Sequence, residues 1–247
     1  MFDSEIGQLL VLYFSKYKDA AFRGILILGG LYTFFWILRP KFIEKFRIQP
    51  PARQEAKPKG EMFYTFTTYL VYAFFSSLIV VIYKKTGHIA MYTDISQMGW
   101  FYTIASFFIF VFYSDTTFYW SHVLMHKSPF FYKTHSRHHR FINVTPWAAY
   151  AFHTGEALLS AGSFFFLMLL LPWHPMVLLT YVVFSIFYNG MIHSGYDLMP
   201  KTWRHHSVLK WLSTPTHHIY HHQVSNCNYG FILTFWDKIM KTEKLPN

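Results

Sequence analysis

The residues of this chain best able to do chemistry are its histidines. Fifteen occur in 247 residues, and nine of them fall at spacings that turn imidazoles toward shared points. His122 and His126 form an HxxxH pair. His135, His138 and His139 form HxxHH, and His218, His221 and His222 repeat that pattern, while His193 stands near the end of an apolar stretch. On a helix, residues i, i+3 and i+4 share one face, with Cβ atoms about 5–6 Å apart. The adjacent pair within each HxxHH is rotated by about 100° around the helix, so one member can lean toward a second ion. Eight or nine imidazoles exceed what a single ion uses while keeping a position open for chemistry. Two metals sharing the set is the economical reading. The single cysteine, Cys227, excludes a thiolate site and a disulfide framework.

Such a site needs elements to carry it, and the composition says what they are. The chain is 53% hydrophobic, 22% aromatic and only 14% charged, against about a quarter charged in ordinary soluble domains. Neither a water-facing globule nor a disordered chain fits. Five stretches lack Lys, Arg and Glu: Gly24–Leu38, Phe63–Tyr83, Gly99–Trp120, Ala157–Leu171 and Pro175–Met191. The second and third reach the roughly 20 residues that cross a bilayer. The shorter ones either borrow flanking residues or pair into a hairpin that only partly enters. An all-α, multi-pass membrane protein with four to five membrane segments is expected. Its residues 1–114 would supply membrane helices and a linker, and 115–247 a catalytic region with a cytoplasmic helical cap, the two integrated as one domain.

Seven Lys and Arg lie in residues 39–60, four in 121–156 and six in 192–247, against two in 84–98. The positive-inside rule places the first three regions in the cytoplasm, which brings all the histidine clusters to one membrane face. The net charge of +10 then marks a surface against anionic headgroups rather than a nucleic-acid site. Asp3 and Glu5 stand where a cleavable signal carries positive charge, so residues 1–17 are expected to form an interfacial helix. Residues 47–60, with Pro50, Pro51, Pro58 and Gly60, read as a polar linker. Asp115, Tyr119, His122 and His126 form one helical stripe. An intramembrane acid is a functional candidate by default, and Asp115 suits an acceptor that fixes the tautomer of a ligand histidine.

The pattern resembles the fatty acid hydroxylase/sterol desaturase superfamily. The likeness rests on Asp115-(x)3-Tyr119-Trp120-Ser121-His122-(x)3-His126, on Tyr132-(x)2-His135-(x)2-His138-His139, on Asn189-(x)3-His193 and on Thr214-Pro215-(x)2-His218-(x)2-His221-His222. Asn228-Tyr229-Gly230 and Trp236-Asp237 complete it. Val123 and the His153-Thr154-Gly155-Glu156 element depart from the pattern. The resemblance implies a di-iron centre held by all nine histidines, with Asn189 as a weak ligand or hydrogen-bond partner. It also implies O2 activation and hydroxylation or desaturation of a membrane lipid. Zinc can take such sites in a purified protein. No dinucleotide glycine fingerprint, haem domain or flavin domain is evident, so electrons would come from a separate cytochrome b5- or ferredoxin-like donor.

Plainer roles suit the remaining candidates. His205 and His206 read as interfacial, His88 and His174 as loop residues, and Cys227 as a packed small side chain. His217 reads as a flank of the last cluster, and His153 with Glu156 as either a helix start or support for the site. Two other classes compete with the oxygenase. Histidines also line ion paths in metal transporters, whose sites usually lie at mid-membrane, and a membrane zinc hydrolase would activate water instead of O2.

Overall fold

The computed structural model describes residues 5–49 and 58–246. Its architecture is all-helical, with only isolated β-bridges among the described residues. The long elements are α1 (Glu5–Tyr32), α2 (Pro58–Thr86) and α3 (Gly99–Lys127). The short α4 (Pro129–His135) precedes a paired α5 (Thr154–Leu170) and α6 (Pro175–Ile192). Two more short helices, α7 (Pro215–Val224) and α8 (Phe235–Ile239), lie near the C-terminus. Four helical stretches are long and apolar enough to cross a membrane: Glu5–Leu38, Pro58–Thr86, Gly99–Lys127 and Pro175–Ile192, while Thr154–Leu170 is shorter.

One sequence expectation changes. Residues 5–17 are not a separate interfacial helix, because α1 runs unbroken from Glu5 into a π-helical turn at Thr33–Leu38. No proline interrupts this stretch, so nothing ends the hydrogen-bonded ladder there; Asp3 lies outside the described residues. The expected linker, residues 47–60, is described only at its two ends, since 50–57 lie outside the described residues. Ile48 N–H donates to Gly195 O, and buried Gln49 donates from Nε2 to Val144 O at 3.0 Å. Pro58 opens α2, where a missing N–H costs nothing. Pro50 and Pro51 lie outside the described residues.

The α5–α6 turn is anchored to the loop after α2. Trp173 N–H donates to Ala90 O, and Tyr92 N–H donates to Trp173 O. His174 caps α6, its Nδ1 accepting from Met176 N–H. At the other end α1 packs on α6 across Gly190, where a Cβ would strike Leu28 and Leu31. The segment before α5 is fixed by three polar side chains from two helices. Glu61 of α2 accepts from the Thr145 hydroxyl and backbone N–H, Thr65 donates to Trp147 O, and Asn189 of α6 donates to Ala149 O.

Asp115 does different work from that expected. It is 1% exposed, and its Oδ1 accepts the backbone N–H groups of Phe231, Ile232 and Leu233 at 3.2, 2.7 and 3.0 Å. Its carboxylate is hydrogen-bonded to none of the histidines. It lies seven residues before His122, roughly 10 Å along the helix, which is too far for a hydrogen bond. Asp237 holds the adjoining part of the same loop, accepting from Tyr229 N–H at 2.8 Å and Gly230 N–H at 2.7 Å. Two carboxylates thus satisfy five consecutive main-chain donors. Asp115→Ala strands two buried N–H groups and a third that is half-buried, and is expected to cost about 3 kcal/mol. Asp115→Asn, which keeps an acceptor, should cost less; thermal unfolding in detergent measures both.

Candidate metal centre

The histidine clusters converge because the helices that carry them end at one place. His126 lies in the last turn of α3, His135 at the end of α4, His193 at the end of α6, and His221 and His222 in the last turn of α7. Helix C-termini carry partial negative charge and favour cations nearby, by roughly 0.3–1 kcal/mol each at exposed sites. Four such ends meet here.

The nine side chains divide into two groups. His122, His126, His135, His139 and His221 form one, and His138, His193, His218 and His222 form the other. Within each group one nitrogen from every ring lies within 4.8 Å of the rest. The groups abut, with the rings of His139 and His222 centred 4.9 Å apart. Both HxxHH clusters are split between them, and the adjacent members, His138/His139 and His221/His222, face different groups.

Hydrogen bonds on the outer nitrogens show which way the inner ones point. His122 Nδ1 donates to Tyr229 O at 2.8 Å, His221 Nδ1 to Cys227 O at 2.6 Å, and His193 Nδ1 to Asn189 O at 2.8 Å. His135 Nδ1 donates to the Glu156 carboxylate at 2.8 Å. Main-chain carbonyls only accept, so the Nδ1 atoms of His122, His193 and His221 carry the hydrogens and their Nε2 atoms present lone pairs; an ionised Glu156 fixes His135 in the same way. Nevertheless the Nε2 atoms of His122 and His135 face each other at 2.9 Å, two lone pairs with no proton between them. His139 Nε2 also stands 3.0 Å from those of His135 and His221, and His218 Nε2 2.8 Å from that of His193, pairs in which no carbonyl fixes the tautomer of His139 or His218.

Protonation does not relieve this repulsion. Burial, together with the neighbouring imidazoles, holds His139 down to about 2. Burial likewise holds His221 and His193 down to about 4, and His135, His138, His218 and His222 well below the usual histidine range. A cation between the nitrogens would relieve it. With metal–nitrogen bonds of about 2.1 Å, adjacent donors of a six-coordinate shell stand about 3.0 Å apart, close to the separations observed. The donor set therefore fits a pair of transition-metal ions, and imidazole ligands suit iron as well as zinc.

Of the other residues singled out in the sequence, Asn189 contributes its main-chain carbonyl to His193, while its side chain is turned to Ala149. Asp115 acts only on the 231–233 backbone. Glu156 supports His135, and His153 caps α5, its Nδ1 accepting from Gly155 N–H. His217 belongs to neither group; its Nδ1 accepts from Thr214 N–H and its Nε2 faces Glu243. His174 points to Thr93 O, and Cys227 is a buried free thiol. The sequence did not mark Tyr229 and Cys227 as sources of orienting carbonyls, since any residue type supplies that atom. Phe118 and Phe152 were also missed. They pack edge-on against His122 and His138, with centroids 5.0 and 5.6 Å apart, and both line a cavity of about 510 Å3.

The chain matches the fatty acid hydroxylase family over residues 107–242. It belongs to that family. A delta(7)-sterol 5(6)-desaturase of Gibberella zeae is 29% identical over 160 residues, covering 65% of this chain and 48% of the relative. Lathosterol oxidase of Rattus norvegicus is 29% identical over 163 residues, 65% of this chain and 53% of the relative. A delta(7)-sterol 5(6)-desaturase of Saccharomyces cerevisiae is 28% identical over 166 residues, 66% and 43% of the two chains. The chain thus spans about half the length of the curated relatives it matches. No solved structure matches it.

Support of ligands from behind commonly contributes 10- to 100-fold in metal affinity. Glu156→Ala is therefore expected to weaken metal binding by about that factor, with a smaller loss for Glu156→Gln, measured by chelator competition. His135→Ala and His218→Ala should each remove one of two metal equivalents, and metal analysis of the purified variants reads this directly.

Proposed function

We propose that this fatty acid hydroxylase family member is a non-haem di-iron oxidoreductase that uses O2 to hydroxylate or desaturate a membrane lipid, such as a sterol or a fatty acyl chain. One observation carries the reading: nine imidazoles in two groups, several with lone pairs fixed inward, adjoin an apolar cavity in a bundle of membrane-length helices. The names of the relatives, sterol desaturases and a lathosterol oxidase, support the same chemistry. The excess of Lys and Arg in the loops beside the histidines supports a cytoplasmic placement of the site.

His122, His126, His135, His139 and His221 would hold one ion, and His138, His193, His218 and His222 the other. Bound iron would supply the oxygen activation that side chains alone lack. Hydroxylation consumes one O2, two electrons and two protons, giving the alcohol and one water. Desaturation takes the same inputs, removes two hydrogens from adjacent carbons and gives two waters. The electrons require an outside donor of the cytochrome b5 or ferredoxin kind.

The protein's own residues do three things. Glu156 and the carbonyls of Asn189, Cys227 and Tyr229 keep hydrogens on the outer nitrogens, so the inner ones stay available. Phe118 and Phe152 cover the buried histidines from the cavity side, which excludes water. The cavity seats the chain whose C–H bond reacts. A zinc hydrolase would need about three protein ligands on one ion, and nine exceed that. A transporter would place its ligands on broken helices at mid-membrane, whereas these sit at helix ends.

The full chain, loaded anaerobically with iron and then given O2, a reductant and a lipid extract, should yield lipids that have gained one oxygen or lost two hydrogens. The same lipids should be missing from cells expressing His138→Ala. Identical lipid profiles in the two, or lipid cleavage without O2, would overturn the proposal.

A further inference from the structure

The cavity beside the histidines is charged along one side. Lys16, Asp19 and Arg23 of α1 line it together with Tyr69 of α2. Lys16, Asp19 and Arg23 lie in the stretch Glu5–Leu38, which is long and apolar enough to cross a membrane, and Arg23 borders the apolar run that begins at Gly24. Among the described residues, Lys16 and Arg23 have no carboxylate within 4.0 Å. Arg23 Nε is buried without a hydrogen-bond partner. So is the hydroxyl of Tyr69, a residue only 2% exposed. That hydroxyl occupies the space a Cβ would take at Gly24, so the glycine seats it next to Arg23. Deeper hydroxyls of the same wall are paired with each other, Tyr72 with Ser160 and Tyr150 with Ser185. Ser114 and the Trp173 indole also line the cavity without hydrogen-bond partners, but the unmet donors on the α1 side include a cation.

Buried donors without acceptors are expensive, and a cation beside a phenolic hydroxyl is complementary to an oxyanion. We propose that Arg23 and Tyr69, assisted by Lys16, form a subsite for the oxyanion, carboxylate or phosphate, that ends an apolar chain lying in the cavity. This rests on the reading of the cavity as a lipid site and narrows it to acidic amphiphiles. An acid held there can run its chain along a wall that includes Phe118 and Phe152, the rings that touch His122 and His138. The anchor would set which carbon meets the metal centre.

The test is binding to the full chain in detergent, by displacement of a fluorescent fatty-acid reporter, with hexadecanoate, hexadecyl phosphate and hexadecanol as competitors. The wild type should bind at least one of the two acids about tenfold tighter than the alcohol, and the tighter acid identifies the source of the oxyanion. Arg23→Gln should weaken the acids by about tenfold or more while changing hexadecanol less than twofold, and Arg23→Lys should retain most acid binding. Tyr69→Phe should weaken the acids by a smaller factor. Equal affinity for acids and alcohol, or an equal loss of all three in Arg23→Gln, would overturn the subsite. Metal content, measured on the same samples, should not change in these variants. A wild type without iron would count against the di-iron reading alone, and one that bound none of the amphiphiles would overturn the subsite together with the lipid cavity.

Discussion

Everything in this structure answers to one electrostatic constraint: lone pairs on neighbouring imidazoles are aimed at each other across about 3 Å in a buried site. The repulsion is strongest where it is least screened, and the folded chain must hold it before any ion arrives. It does so from behind. Three rings are tethered through Nδ1 to main-chain carbonyls that cannot donate, and a fourth to the Glu156 carboxyl, so they can neither flip nor turn away. The tethers are themselves fixed. Tyr229 O belongs to the 229–233 loop that Asp115 and Asp237 clamp, Cys227 O precedes that loop, and Asn189 O lies at the end of α6. The two buried aspartates therefore act on the histidines at one remove, through the main chain. Their own burial is compensated by five N–H donors.

Helix ends are where this is easiest to build. A C-terminal turn offers unsatisfied carbonyls, negative potential and a chain free to change direction. Placing clusters at the ends of α3, α4, α6 and α7 uses all three. Asn189 O shows the economy of the device, accepting both His193 N–H, which closes α6, and His193 Nδ1–H, which orients the ring. The membrane-length helices then need only be long enough, and packed closely enough, to bring four ends together. Gly190 contributes by letting α1 approach α6.

How much of this was legible in the sequence depends on whether a feature is set by local periodicity or by chain return. The membrane helices and the HxxxH and HxxHH faces are local, and their spacing revealed them. The division of the nine rings was half legible. Rotation between adjacent residues anticipates that His138 and His139, or His221 and His222, face apart. The break that completes the split after α4 was not anticipated: Ser136 and Arg137 leave the helix, and His138–Arg140 forms a 3-10 turn. The partner of Asp115 lies 116 to 118 residues away, so no spacing rule finds it, and proximity on a helical stripe suggested the wrong one. Glu156 was closer to view, since an acid three residues after His153 signals a helix start. That it also reaches His135 needed α5 to begin beside α4.

The two histidine groups are not equivalent, and the difference follows from the same construction. The group of His138, His193, His218 and His222 is wholly buried, whereas His126 and His139 of the other are only half-buried. Rings closed in by protein depend on it for every partner, yet the Nδ1 atoms of His138, His218 and His222 have none among the described residues. In the five-membered group the most deeply buried rings carry the tethers, and the half-buried ones lie toward water. One group is thus held mainly by hydrogen bonds and the other mainly by packing, with Phe152 against His138. An ion in the packed group would be shielded from solvent on all sides, and one in the tethered group would lie nearer the surface. The short separation between the groups, across His139 and His222, makes these two environments parts of a single site.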